Sequence, residues 1–103
     1  MLLAEIAVLF DSNGDKLRSI DMSTIQMFST SLNERDTITI EAFTDLSGDI
    51  ELNSNLAKRR ADSVAAHFPL VHKEIILSPL KPRNSGKNDY QRAYNRIVTI
   101  KRK

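Results

Sequence analysis

The sequence has no cysteine and no tryptophan, only three glycines and three prolines, and its aromatics are four phenylalanines and two tyrosines. The missing cysteine excludes disulfides, thiolate zinc sites and cysteine nucleophiles together. It leaves the compartment open, because such a domain suits cytosol or periplasm. No apolar run approaches the roughly 20 residues needed to cross a bilayer; the longest, Leu2 to Phe10, is interrupted by Glu5. That run has no basic region before it and no small-residue cleavage site after it, so it does not read as a signal peptide, and a protein working outside the cytoplasm would carry its export signal beyond this sequence. Gly-x-Ser-x-Gly, the phosphate-cradling Gly-x-x-x-x-Gly-Lys and any two-carboxylate motif are absent, so the expectation is a non-enzyme without cofactor. There is no internal repeat and no low-complexity tract.

What is present is the composition of one soluble globular domain over residues 1–103, with 41% hydrophobic and 27% charged residues. A chain of this length buries roughly 65% of its unfolded surface, enough for one core without staples. The net charge of +2 conceals an asymmetry. Residues 1–68 carry 6 Lys+Arg against 11 Asp+Glu, or −5, and residues 69–103 carry 9 against 2, or +7.

Glu5 to Phe10 reads as a buried strand, bounded by the turn Asp11-Ser12-Asn13-Gly14-Asp15. Ile25, Phe28 and Leu32 then recur at helical spacing from about Asp21 to Leu32, with Ser19 or Asp21 as cap. Thr37 to Phe43 alternates, with Ile38, Ile40 and Ala42 on one side, which is the period of a strand. A second helix is expected from about Leu52 to Phe68, stopped by Pro69, with Leu56, Ala61, Val64 and Phe68 toward the core. Glu74 to Leu77 is a short β-branched run, Pro79 to Asp89 a loop, and Arg96 to Ile100 a last strand. The expected fold is α+β, a two-layer α/β sandwich of order β-α-β-α-β-β with two helices packed on one small mixed sheet.

At 100° per residue, Asn53, Leu56, Arg60 and Val64 share one ridge of the second helix, so Arg60 stands beside apolar residues. A guanidinium at the edge of a core needs a carboxylate or a ligand for its fork of donors. Asp45, in the segment leading to this helix, is near enough in connectivity to serve. A ligand site and a structural ion pair are both open from spacing alone.

The segment Ala42-Phe43-Thr44-Asp45-Leu46-Ser47-Gly48-Asp49, followed by Asn53-Ser54-Asn55-Leu56-Ala57-Lys58-Arg59-Arg60-Ala61-Asp62-Ser63-Val64, resembles the OmpA-like peptidoglycan-binding domain family. Arg92-Ala93-Tyr94-Asn95-Arg96-Ile97-Val98 resembles its second signature, and the likeness spans roughly residues 5–102. It implies a non-catalytic, periplasmic module, excised from a longer exported protein, that anchors an outer-membrane or envelope protein to the cell wall. It further implies that Asp45 and Arg60 grip the diaminopimelate of the stem peptide, Asp45 accepting from its ammonium and Arg60 holding its carboxylate. Asn53, Thr44, Phe43, Arg96 and Arg92 complete the implied ligand set, and first-turn N–H groups of the helix favour an anion nearby. The implied partner is peptidoglycan, with a homodimer as a further candidate.

The chain departs from the family pattern at Ala42, Phe43, Ala57 and Ile97, where the family has glycine, histidine, serine and arginine. Phe43 keeps an aromatic wall and loses a hydrogen-bonding edge; Ile97 removes a charge. A diverged OmpA-like fold acting as a protein scaffold is the alternative. Lys81, Arg83, Lys87, Arg92, Arg96 and Lys101 to Lys103, interleaved with Tyr90 and Tyr94, raise a nucleic-acid module as a rival, but no recognised motif accompanies them, and the expectation is no nucleic acid. Asp11 to Asp15 opens like a calcium loop, yet Lys16 and Met22 stand where glycine and glutamate are needed. His67 and His72, separated by Pro69, read as solvated or capping groups, so no metal site is expected.

Overall fold

A computed structural model describes residues 5–11, 14–45, 49–80 and 96–103. The elements are β1 (Glu5–Leu9), α1 (Ser19–Thr30), β2 (Thr37–Asp45), α2 (Ile50–Ala65), β3 (His72–Leu80) and β4 (Ile97–Arg102). They form the expected two-helix, four-strand α+β layer pair, with sheet order β1-β4-β2-β3. β4 runs antiparallel to both β1 and β2, and β3 runs parallel to β2, so the sheet is mixed.

The period of two in each strand decides which residues meet the helices. Ile6 and Val8, Ile38, Ile40 and Ala42, and Val98 and Ile100 are buried on one face, against Ile25 and Phe28 of α1 and Ala57, Ala61 and Val64 of α2. Phe28 and Phe68 meet edge to face, with centroids 6.1 Å apart and planes at 87°.

Several boundaries moved, each for a local reason. α1 begins at Ser19 with Arg18 in the N-cap position and no side-chain cap. Asp21, expected as a cap, is buried instead and takes the Arg18 guanidinium at 2.7 and 3.3 Å. α2 begins two residues early because the Asp49 carboxylate accepts the Leu52 N–H at 3.0 Å. It ends at Ala65, and Phe68 enters the core from the turn that follows, since the residue before a proline is pushed out of the helical region. β3 is longer than its apolar run, because it pairs with β2 along nine residues, Thr37↔His72 to Asp45↔Leu80. Pro79 lies inside it, tolerated on a strand at the sheet edge. The rest of the expected loop, and Arg92 beyond it, lie outside the described residues.

Lys103 Nζ donates to Glu74 Oε1 at 2.7 Å, tying the end of β4 to β3. That hydrogen bond, then the charge of the ammonium, holds the Glu74 carboxyl below its ordinary range. The tie is therefore present above the ordinary carboxylate pKa and fades as pH falls through the lowered value. In an NMR titration, Lys103→Ala should move the Glu74 midpoint upward; an unchanged midpoint would show that the tie does not form in solution.

Candidate functional site

The antiparallel and parallel pairings bring the C-terminal ends of β1, β2 and β3 and the N-terminal end of β4 to one end of the sheet. Phe10 N–H donates to Arg96 O at 2.8 Å just beyond the Leu9↔Ile97 pair. Continuing the β2–β4 register from Ala42↔Val98 sets Arg96 beside Thr44. Asp45 closes β2 at this same end.

Arg60 reaches this end from α2. The helix turns Ala57, Arg60, Ala61 and Val64 inward, and Arg60 is only 4% exposed. Its Nε donates to Gly14 O at 2.8 Å and its Nη2 to Asp11 O at 3.0 Å. Its guanidinium carbon lies 5.6 Å from the centroid of the Phe10 ring, a cation–π arrangement that strengthens on desolvation. The sequence reading asked for a carboxylate or ligand partner; backbone carbonyls of the β1–α1 turn take that role for two of the donors. Burial, then the neighbouring Arg96, pushes the Arg60 guanidinium below its usual range, with Asp15 acting against them.

Arg96 is half-buried, and its Nε is buried with no hydrogen-bond partner among the described residues. A buried cationic donor in that state is costly unless something anionic or carbonyl-bearing reaches it. Arg59, next to Arg60 in sequence, points elsewhere: it is exposed and pairs with Asp15 at 3.2 Å.

Of the expected site residues, the structure brings Arg60, Arg96, Thr44 and the Asp45 backbone to one end of the sheet. Thr44 is buried on the helix side, and Phe43 is half-buried on the opposite face. Asn53 is half-buried on α2, two turns before Arg60. The Asp45 side chain lies outside what is described. The first-turn N–H of Leu52, expected to favour a bound anion, is already taken by Asp49. The sequence reading missed Phe10, Asp11 and Gly14 as the seat of Arg60. The sequence signal for it is the turn chemistry of Asp11, Gly14 and Asp15. Among the described residues, no cluster of three or more His, Asp or Glu that could hold a metal is found.

No protein-family model matches the chain. The outer-membrane lipoprotein YfiB of Pseudomonas aeruginosa is 35% identical over 101 residues, a match covering 90% of this chain and 60% of that protein. The chain thus spans about 60% of the length of the curated relative it matches. The crystal structure of the peptidoglycan-associated lipoprotein from Burkholderia pseudomallei superposes with a TM-score of 0.78 at 24% identity, covering 94% of this chain and 89% of that one. The OmpA-like domain of FopA1 from Francisella tularensis gives a TM-score of 0.67 at 15% identity, covering 96% and 73%.

Proposed function

The chain has the OmpA-like fold, and from that fold and the arginine pair at one end of its sheet we propose that it is a non-catalytic module which binds peptidoglycan and anchors an envelope protein to the cell wall from the periplasm. The observation that carries the reading is the approach of two guanidiniums beside the end of the strand that ends in Asp45: Arg60, buried, and Arg96, whose buried Nε has no hydrogen-bond partner among the described residues. Such a place attracts a carboxylate on one side and an ammonium on the other. Two of the similar proteins are outer-membrane or peptidoglycan-associated lipoproteins, which supports a wall ligand.

The ligand is the diaminopimelate of the stem peptide, whose free end carries an ammonium and a carboxylate on one carbon. Arg60 and Arg96 supply the positive charge that holds the carboxylate, and Asp45 accepts from the ammonium. Asn53 and Thr44 border the ligand on the helix side, while Phe43 lies on the other face of the sheet. The backbone carbonyls of Asp11 and Gly14 fix the Arg60 fork in place, so little side-chain entropy is left to lose on binding.

Free diaminopimelate should therefore compete with sacculi for the domain, and lysine-type stem peptides should compete poorly, since their side chain ends in an ammonium alone. Without the carboxylate a charge-assisted pair of roughly 1.5 to 3 kcal/mol is lost, about one to two decades in affinity. Calorimetric competition at high ligand concentration reads this directly. Equal competition by both stem types would refute the zwitterion clamp, and absence of cosedimentation with sacculi would refute wall binding altogether.

A further inference from the structure

Both helices pack on one face of the sheet, and the other face is graded along its strands. At the end away from Arg60 and Arg96 its charges are matched, Glu5 with Lys101 at 3.8 Å and Glu74 with Lys103 at 2.7 Å. Toward those arginines it turns apolar. The pairing Leu9↔Ile97, and the β2–β4 register continued by one residue from Ala42↔Val98, set Leu9, Ile97 and Phe43 in one row across β1, β4 and β2. All three are half-buried.

Glu41 stands between the two zones. It faces Thr99 of β4 and lies beside Ile76 of β3, and directly opposed side chains of this kind are about 5 Å apart at Cβ. Unlike Glu5 and Glu74, Glu41 has no ion pair among the described residues; its carboxylate accepts a hydrogen bond from Ser78 Oγ. Thr99 Oγ1 is buried without a hydrogen-bond partner among the described residues. A buried hydroxyl in that state is costly, and Ala7, its neighbour on β1, offers no side-chain polar group.

These groups suit a ligand that is apolar on one side and carries neutral donors and acceptors around its rim. A cation would meet one carboxylate amid hydroxyls and hydrocarbon, and an anion would meet that carboxylate. A pyranose ring has the right make-up: its C–H groups lie on Phe43 and Ile97, a hydroxyl donates to Glu41, and a ring hydroxyl or acetamido carbonyl accepts from Thr99.

We propose that this face is a saccharide subsite, which takes the N-acetylhexosamine backbone of the wall glycan across β2 and β4 beside Glu41. The proposal rests on the wall-binding reading for its choice of polymer and extends it from the stem peptide to the sugar chain. The reach agrees. Glu41 lies four positions before Asp45 on β2, roughly 13 Å along the strand, and a stem peptide joining the strand end to the glycan through about three extended residues spans roughly 10 Å.

Chitotetraose carries the N-acetylhexosamine backbone and no stem peptide, so it probes this face apart from the clamp. In an amide NMR titration to about 10 mM, the Glu41, Ser78 and Thr99 signals should shift while those of Gly14 and Arg60 stay in place. Glu41→Ala should weaken binding at least about 10-fold, as for loss of a charge-assisted hydrogen bond. Thr99→Val keeps the shape and removes an unpaired buried hydroxyl, so it should weaken binding without lowering the melting temperature. Absence of any shift with chitotetraose overturns the subsite whatever free diaminopimelate does; a separate diaminopimelate titration, read at Arg60 and Gly14, decides the clamp. Shifts that persist in both variants overturn it equally, since the sugar would then sit elsewhere.

Discussion

Alanine in place of Arg60 is expected to abolish cosedimentation with sacculi and, in the same variant, to lower the stability of the domain by about 3 kcal/mol. The second effect follows from the seat of the side chain. Arg60 is buried, its Nε and Nη2 bond Gly14 O and Asp11 O, and its guanidinium covers the Phe10 ring. Truncation removes the Arg60 donor from Gly14 O, leaves Asp11 O with the Gly14 N–H alone, opens a cavity beside Phe10 and loosens the turn between β1 and α1. Charge-assisted hydrogen bonds contribute about 1.5 to 3 kcal/mol each, partly offset by no longer burying a charge. For a domain of this size, each kcal/mol shifts the melting temperature by roughly 4 to 8 °C. The binding loss on top is on the order of 2 to 5 kcal/mol, as for breaking a desolvated charge pair.

Because one substitution carries both effects, a second is needed: Asp45→Asn should lose sacculus binding, since it removes the acceptor proposed for the ligand's ammonium. Arg59→Ala removes only an exposed pair with Asp15 at 3.2 Å, so stability should change by less than about 0.5 kcal/mol and binding should persist. A folded Arg60→Ala domain that still sediments with sacculi would remove the site from this end of the sheet. A wild-type melting temperature for Arg60→Ala would deny the tether.

Phe28→Ala is expected to cost about 4 kcal/mol, measured as a fall in the urea midpoint at unchanged slope. Phe28 is fully buried and meets Phe68 edge to face at 6.1 Å, so it couples α1 to the turn after α2. Large-to-small aromatic truncations in cores cost about 3 to 5 kcal/mol, through lost transfer energy and the cavity left behind. Against a total stability of roughly 5 to 15 kcal/mol, that is enough to leave a measurable unfolded fraction. Phe28→Leu should restore most of it. Met27→Ala, one residue earlier and exposed, should change the stability of the domain by less than about 0.5 kcal/mol. A cost below about 1.5 kcal/mol for Phe28→Ala would mean that the two helices are not joined through this pair.

The features legible in the sequence are those whose causes are local. Alternation of Ile38, Ile40 and Ala42 gave β2 its buried face, and the spacing of Ile25 and Phe28 gave α1 its inner side. Helix phase alone places Arg60 among apolar residues on the ridge of α2. Harder to read were ends set by a single side chain. Asp49 stood in what read as a loop and caps α2, while Asp21 looked like a cap and serves as a buried partner for Arg18. β3 exceeded its apolar run because its length is dictated by β2 beside it, a partner that its own residues do not name.

The sequence by itself determined the element order, the inward faces and the position of a buried arginine on α2, because periodicity and helix phase act within a few residues. The tertiary structure alone decided what that arginine touches. The carbonyls that hold Arg60 come from 46 and 49 residues away, and backbone carbonyls carry no side-chain signature that a sequence could display. The meeting of Arg60 with Arg96 was likewise settled by the sheet order, in which β4, the last strand, enters between β1 and β2. Such insertion costs loop-closure entropy and is stabilised by burial of Val98 and Ile100, so only the folded chain fixes it.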